Sequence, residues 1–212
     1  KVTCLDPNAE IHYTTDGSEP TATSPLYEKI VPVKEALTLK GATFAYGRQM
    51  GKTLILPVRW NLATAKPVLG TNPTEKLLTN GIRGSLKYSD FEWCSWADND
   101  SVSFTIDLLK PEMLNTLTLG CITNNGMAIH KPASVRVEVS DDNSKFREAV
   151  VQSFTSEEIF REGNFIENLS LKLGGTQARY VRVTAKGPGV CPASHVRPGQ
   201  TSRIFFDEVM LE

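Results

Sequence analysis

Apolar residues in this chain return at every second position, and almost nowhere at the three- and four-residue spacing of an amphipathic helix. Val102, Phe104, Ile106 and Leu108 alternate with Ser103, Thr105 and Asp107. Val135, Val137 and Val139 alternate with Arg136 and Glu138, and Leu169, Leu171 and Leu173 with Ser170 and Lys172, while Val181 and Val183 flank Arg182. Successive side chains on a strand point to opposite faces, so each segment offers one apolar and one polar face. A one-residue slip would turn the apolar set to water, so burial fixes the register. The expected fold class is all-β, built from sandwich sheets.

Punctuation divides the chain. Ile11, Tyr13 and Thr15 alternate with His12 and Thr14, Asp16-Gly17 supplies a turn, and Pro20 and Pro25 keep the connection out of any ladder. Leu54, Ile55, Leu56, Val58 and Trp60 read as a closing strand, after which Pro67, Gly70 and Pro73 interrupt regular structure. Two units follow, residues 1–65 and 66–212. The first is near the lower limit for a self-sufficient core and is expected to lean on a neighbour. The second has the size of a jelly-roll sandwich.

Composition removes some functions. A net charge of −1 over 212 residues gives no electrostatic reason to expect nucleic acid or an anionic membrane. No apolar run is long enough to span a bilayer. Lys1-Val2-Thr3-Cys4 reads as a strand rather than a signal peptide, so the chain has the look of an excised segment. Cys4, Cys94, Cys121 and Cys191 show no CxxC pair and no zinc-finger spacing to a histidine, so a structural zinc site is not expected. Cys121 can pair with Cys94 or with Cys191, but a chain this long needs no staples, and buried free thiols are the expectation.

The wording YTTDGSEPT followed by SPLY, within residues 11–27, resembles a β-sandwich appended to bacterial β-N-acetylhexosaminidases, chitobiase-like enzymes of glycoside hydrolase family 20. This likeness runs to about Trp60 and implies a small immunoglobulin/fibronectin-like sandwich. Four later stretches, LLTNGIRGS (77–85), SVSFTIDLLKPEMLNTLTLG (101–120), KPASVRVEVSDDNSKF (131–146) and ARYVRVTAKGPGVCP (178–192), with the closing RIFFDEVML, resemble the factor V/VIII type C or discoidin-like fold. Bacterial relatives of that fold include carbohydrate-binding module family 32. The pair is similar to the tail of a Bacteroides-type family 20 enzyme. It implies a secreted, extracytoplasmic parent glycosidase whose catalytic barrel lies elsewhere in the same chain, and a fragment inactive alone. A glycan of galactose or N-acetylhexosamine type is the implied ligand. Two readings remain open: a glycan-binding module, or purely architectural sandwiches packed on the barrel.

The discoidin-like resemblance also implies a structural calcium ion. Its ligands here are Asn80 and Ser85, the carbonyls of Leu77 and Ile82, Glu208, and the carbonyl of Asp207. Such hard oxygens suit calcium, although Asn80 stands where the family usually has Asp. Glu208 shares strand parity with Ile204, Phe206 and Met210, which points its carboxylate inward and demands a partner. The competing reading is a tight turn hydrogen-bonded by Asn80, with Glu208 paired to an arginine.

Sugar sites pack an aromatic ring on a pyranose and fix its hydroxyls with a few polar groups. Candidates are Tyr88, Trp93 and Trp96 in YSDFEWCSW, His130 after the turn Asn124-Asn125-Gly126, and His195 with Arg197 in the Gly/Pro-rich loop from Gly187 to Gly199. The resemblance also gives Trp93 a core role, and both histidines read equally as loop or core residues. Three motifs are set aside. Residues 47–53 have one residue too few between their glycines for a phosphate loop, and no helix follows. Asp207-Glu208 lacks the sequence context of a family 20 catalytic pair, and neighbours on a strand face opposite ways. Asn99-Asp100-Ser101 and Asn168-Leu169-Ser170 are glycosylation sequons without meaning in a bacterial protein.

Overall fold

The computed structural model describes residues 3–28, 31–96 and 101–212. The chain divides into two compact units, Lys1–Trp60 and Asn61–Glu212. The division comes earlier than the Ala63–Pro67 punctuation implies, because the intervening residues pack into the second unit. Leu62 N–H donates to the Leu211 carbonyl at 3.0 Å, Asn61 Oδ1 accepts from Leu211 N–H at 3.1 Å, and Ala63 is fully buried in the second core.

In the first unit β1 (Glu10–Thr14), β2 (Leu37–Ala45) and β3 (Arg48–Val58) form one antiparallel sheet in that order. Tyr46 and Gly47 join β2 to β3 with φ of 51° and 72°, the two positive values that a type I′ hairpin requires. Residues 48–53 of the phosphate-loop look-alike are therefore strand. In β1 the inward residue is His12, not its apolar neighbours: its Nδ1 lies 2.6 Å from the Ser24 carbonyl and its ring is edge-on to Phe44. Thr3 and Cys4 lie in no strand, and Lys1 and Val2 are outside the described residues.

The second unit holds β4 (Val68–Leu69), a 3-10 turn at Glu75–Thr79, β5 (Cys94–Trp96), β6 (Ser101–Asn124) and a 3-10 turn at Asn125–Met127. It continues with β7 (Ser134–Ser140), β8 (Arg147–Ser153), the single-turn α1 (Ser156–Ile159), β9 (Asn164–Lys186) and β10 (Ile204–Leu211). Strand order is β5-β10-β6-β9-β7-β8, with β4 beside β6. The long strands β6 and β9 organise the unit. Residues 101–107 of β6 pair with 180–186 of β9, and 112–124 pair with 164–178, with register shifts at the corner between Asp107 and Glu112 and again between Leu114 and Thr116. Both halves then face one core: Phe104 and Ile106 meet Leu117, Leu119, Leu171, Val137, Val183 and Phe206 in a single cluster. The alternation read from the sequence is the inner face of this all-β jelly roll. Burying each such Phe or Leu contributes roughly 1.5–3 kcal/mol. Among the described residues no helix is long and apolar enough to cross a membrane.

One irregularity matters for function. Phe206 pairs with Cys121 but Val209 pairs with Leu119, so Asp207 and Glu208 together oppose Gly120 in a β-bulge. Inward parity passes from Phe206 to Val209 and Leu211, and Met210 is left outside the core. Asp207 and Glu208 are both fully buried, and the bulge turns both toward the same turn of residues 81–84.

Candidate functional site

The bulge brings two adjacent carboxylates against the turn after the first 3-10 element. Gly81, at φ 78°, donates its N–H to Glu208 Oε2 at 3.1 Å. Gly84 N–H and Arg83 Nε both donate to Asp207 Oδ2, at 2.9 and 2.7 Å. The arginine partner therefore belongs to Asp207, not to Glu208. Asn80 closes the turn, its Oδ1 accepting from Ile82 N–H at 2.8 Å and its amide donating to Glu92 at 2.7 Å. Ser85 takes Lys87 N–H on its hydroxyl, and its carbonyl accepts from Trp93 Nε1 at 3.0 Å.

Electrostatics mark Glu208. Burial pushes its carboxyl up to about 9; the Gly81 N–H works against this, and the neighbouring Asp207 adds to it. Burial also raises Asp207 above the usual carboxylate range, with Arg83 pulling the other way. Glu208 Oε1 and Asp207 Oδ1 are buried without a hydrogen-bond partner. An orphaned carboxylate oxygen beside a turn rich in carbonyls fits a hard divalent cation. The Leu77 carbonyl, which accepts only a 3.3 Å bond from Asn80 N–H, retains capacity for one.

The sugar candidates scatter. Trp96 is in the main core, its ring stacked on Phe104 and edge-on to Phe206. Trp93 packs with Ile122, Ile129 and Phe205 in a second cluster, where Gly84 leaves room for its indole. Neither can present a face to a pyranose, because core packing has claimed both rings. Tyr88 is half-buried and edge-on to Phe205 at 6.3 Å. His130 and His195 are buried and turned to each other, Nε2 to Nε2 at 3.1 Å. Burial, then His195, lowers His130 to about 4. Arg197 is exposed, and its Nε donates to the Gly126 carbonyl.

Residues not singled out from the sequence complete this end. Phe91, in the same aromatic segment, is 93% exposed. Arg203 lies over Phe205 at 5.7 Å and donates to the Met127 carbonyl, which ties the Tyr88 segment to the 125–127 turn. Their order along the chain gives no sign of this meeting, which the bridge between Ile129 and Arg203 brings about, Arg203 N–H donating to the Ala128 carbonyl at 2.9 Å.

The chitobiase/beta-hexosaminidase C-terminal domain profile matches residues 1–54, and the F5/8 type C domain profile matches residues 63–196, more than half of the chain. The chain belongs to the F5/8 type C family. No curated protein matches it. Among solved structures, a CBM32 module produced by Clostridium perfringens is 18% identical with a TM-score of 0.47, covering 72% of this chain and 98% of that one. A Streptococcus pneumoniae fucose binding module is 15% identical with a TM-score of 0.47, over 72% of this chain and 94% of that one. The C-terminal domain of a Bacteroides fragilis chitobiase is 16% identical with a TM-score of 0.39, over 65% and 78%. The free cysteines agree with their surroundings: Cys94, Cys121 and Cys191 are buried thiols of the F5/8 type C unit, and burial pushes Cys94 up to about 12.

Proposed function

We propose that this chain is the non-catalytic C-terminal region of an extracytoplasmic β-N-acetylhexosaminidase, and that its F5/8 type C unit holds the enzyme near its substrate by binding glycan. The observation that carries the reading is one loop end of the unit. There half-buried Tyr88 leans edge-on against the buried Phe205, Arg203 spans to Met127, and exposed Arg197 donates to the Gly126 carbonyl of the 125–127 turn. A partly exposed aromatic ring near an exposed guanidinium group supplies the chemistry of sugar recognition. The tandem of a chitobiase C-terminal domain and an F5/8 type C domain supports a glycosidase parent. A galactose- or N-acetylhexosamine-type ligand is part of the proposal, as is the catalytic barrel as a partner in the same chain.

Calcium belongs to the same reading. Glu208 and Asn80, with the carbonyls of Leu77, Ile82 and Asp207 and the Ser85 hydroxyl, would hold it. The ion would neutralise a buried carboxylate and tie the first turn of the unit to its last strand. A glycan array probed with the whole 212-residue chain tests the proposal. Binding to galactosides or N-acetylhexosaminides, lost in Arg197→Ala, is expected, together with no turnover of an aryl N-acetylglucosaminide. An array without signal overturns glycan binding.

A second reading, sandwiches that only pack on the barrel, is favoured by a different surface. Met50, Leu54 and Ile55 are exposed on β3 of the first unit, and the neighbours Leu54 and Ile55 put apolar surface on both faces of that strand, which a covering domain would bury.

A further inference from the structure

We propose that His130, Cys191 and His195 form a binding site for a zinc-class transition-metal ion. These are the three groups among the described residues whose ligand atoms converge, all within 4.8 Å of one another. Zinc takes nitrogen ligands at about 2.0–2.1 Å and thiolate sulfur at about 2.3 Å, which sets tetrahedral ligands roughly 3.3–3.8 Å apart. The two Nε2 atoms, 3.1 Å apart, stand near that spacing, and the sulfur needs to close by about an ångström or less. Two imidazoles and a thiol are a borderline-soft set, so the site favours zinc over calcium or magnesium.

The surroundings have the form of an outer shell. Ser202 Oγ lies 2.9 Å from His130 Nδ1 and 3.4 Å from Cys191 Sγ, so one hydroxyl orients two ligands and leaves His130 Nε2 for the metal. On His195, Arg197 N–H donates to Nδ1 at 3.0 Å, which puts the metal-free ring's proton on Nε2. Yet the Asn125 amide nitrogen, also a donor, stands 3.2 Å from that same Nε2, while Asn125 Oδ1 is buried without a partner. Two donors face each other with an idle acceptor on the same side chain. Turning the amide pairs Oδ1 with Nε2–H in the metal-free chain and offers the same oxygen as the fourth ligand when a cation takes the place of that proton. Binding moves the His195 proton from Nε2 to Nδ1, where it displaces the Arg197 N–H bond, and releases the Cys191 thiol proton to solvent. Access comes through residues 193–200, exposed except for His195 itself.

Cys191 and His195 lie four residues apart in one loop, but the sequence hid the site because the third ligand, His130, comes from a distant segment just after the 125–127 turn. It is distinct from the calcium turn and independent of whether any glycan binds.

The test is a cobalt(II) chloride titration of the reduced whole chain, followed by zinc competition. One equivalent of cobalt should give a thiolate-to-metal charge-transfer band with the intense visible bands of a four-coordinate ion, and zinc should bleach both. Cys191→Ser should remove the charge-transfer band, and His195→Ala should abolish binding. Cys4→Ser and Cys94→Ser should leave the spectrum unchanged. Circular dichroism and the melting temperature confirm that each variant folds, and His195→Asn serves if the alanine variant does not. Absence of a charge-transfer band at one equivalent, or a band that survives Cys191→Ser, overturns the proposal.

Discussion

Replacing Glu208 by Gln tests the buried bulge most sharply. The side chain keeps an oxygen for Gly81 N–H and nearly the same volume, but cannot ionise. In the folded chain the carboxyl holds its proton to about 9, against an ordinary value of 4.5. A raised carboxylate pKa gives stability that is complete below the ordinary value and lost as pH rises toward the folded one. The loss is about 1.4 kcal/mol per pH unit, so near pH 7.5 it reaches about 4 kcal/mol. Urea melts in chelator from about pH 4.5 to 8.5 should therefore show Glu208→Gln matching the parent at the acid end and exceeding it by a few kcal/mol at the alkaline end. Calcium inverts the result. An ion that binds only the folded state stabilises it, and it needs the carboxylate, so added calcium should lift the parent increasingly with pH and leave the variant unmoved. Parallel pH curves for the two proteins in chelator would refute the burial argument. Equal calcium shifts in both would refute Glu208 as a ligand.

Arg83→Ala removes the partner of a fully buried Asp207 and should cost about 3–5 kcal/mol by urea unfolding, with Asp207→Asn in the same background recovering part of it. Gly84→Ala would set a Cβ 2.3 Å from the Trp93 indole, and overpacking of that kind should cost about 1–3 kcal/mol, read as a lowered melting temperature. Trp96→Ala opens a cavity between Phe104 and Phe206 and should cost about 3–5 kcal/mol, with glycan-array specificity unchanged in whatever fraction stays folded.

What the sequence reveals here is what depends on near neighbours. The alternations at 102–108, 135–139 and 169–183 are the inner faces of β6, β7 and β9, because a two-residue period needs no knowledge of the partner strand. That Leu169–Leu173 and Val181–Val183 form one strand is not legible, since Gly174 and Gly175 between them, both at positive φ, interrupt the alternation. Trp96 and Phe91 sit five residues apart in one aromatic run; one is core and the other is open to water, a difference set by β5 pairing with β10. Glu208 does point inward as its parity implies, but for another reason: the bulge that buries it also breaks the parity on which the inference rested. That His130 meets the Cys191–His195 pair depends on topology, through the bridge of Ile129 to Arg203. Asn99-Asp100 of one sequon lie outside the described residues, and Asn168 of the other accepts a bond from Arg83.

Gly120 carried a signal of the bulge, since a glycine inside a strand marks a bulge or a close backbone approach. It stands opposite Asp207 and Glu208, and a Cβ built on it would lie 2.0 Å from Asp207 Oδ1 and 2.4 Å from an Arg83 guanidinium nitrogen. The missing side chain is thus the space through which the buried ion pair passes. Gly120→Ala must displace Arg83 or Asp207, leaving a carboxylate buried with its charge uncompensated, which costs about 3–5 kcal/mol, more than the steric term alone. The mechanism predicts non-additivity. Combined with Arg83→Ala and Asp207→Asn, which together remove the charged pair, Gly120→Ala should cost far less than in the parent, with a coupling energy of about 1–3 kcal/mol in a double-mutant cycle measured by urea unfolding. Equal costs in both backgrounds would mean that the glycine serves only backbone geometry at the bulge, and that the ion pair does not depend on the space it leaves.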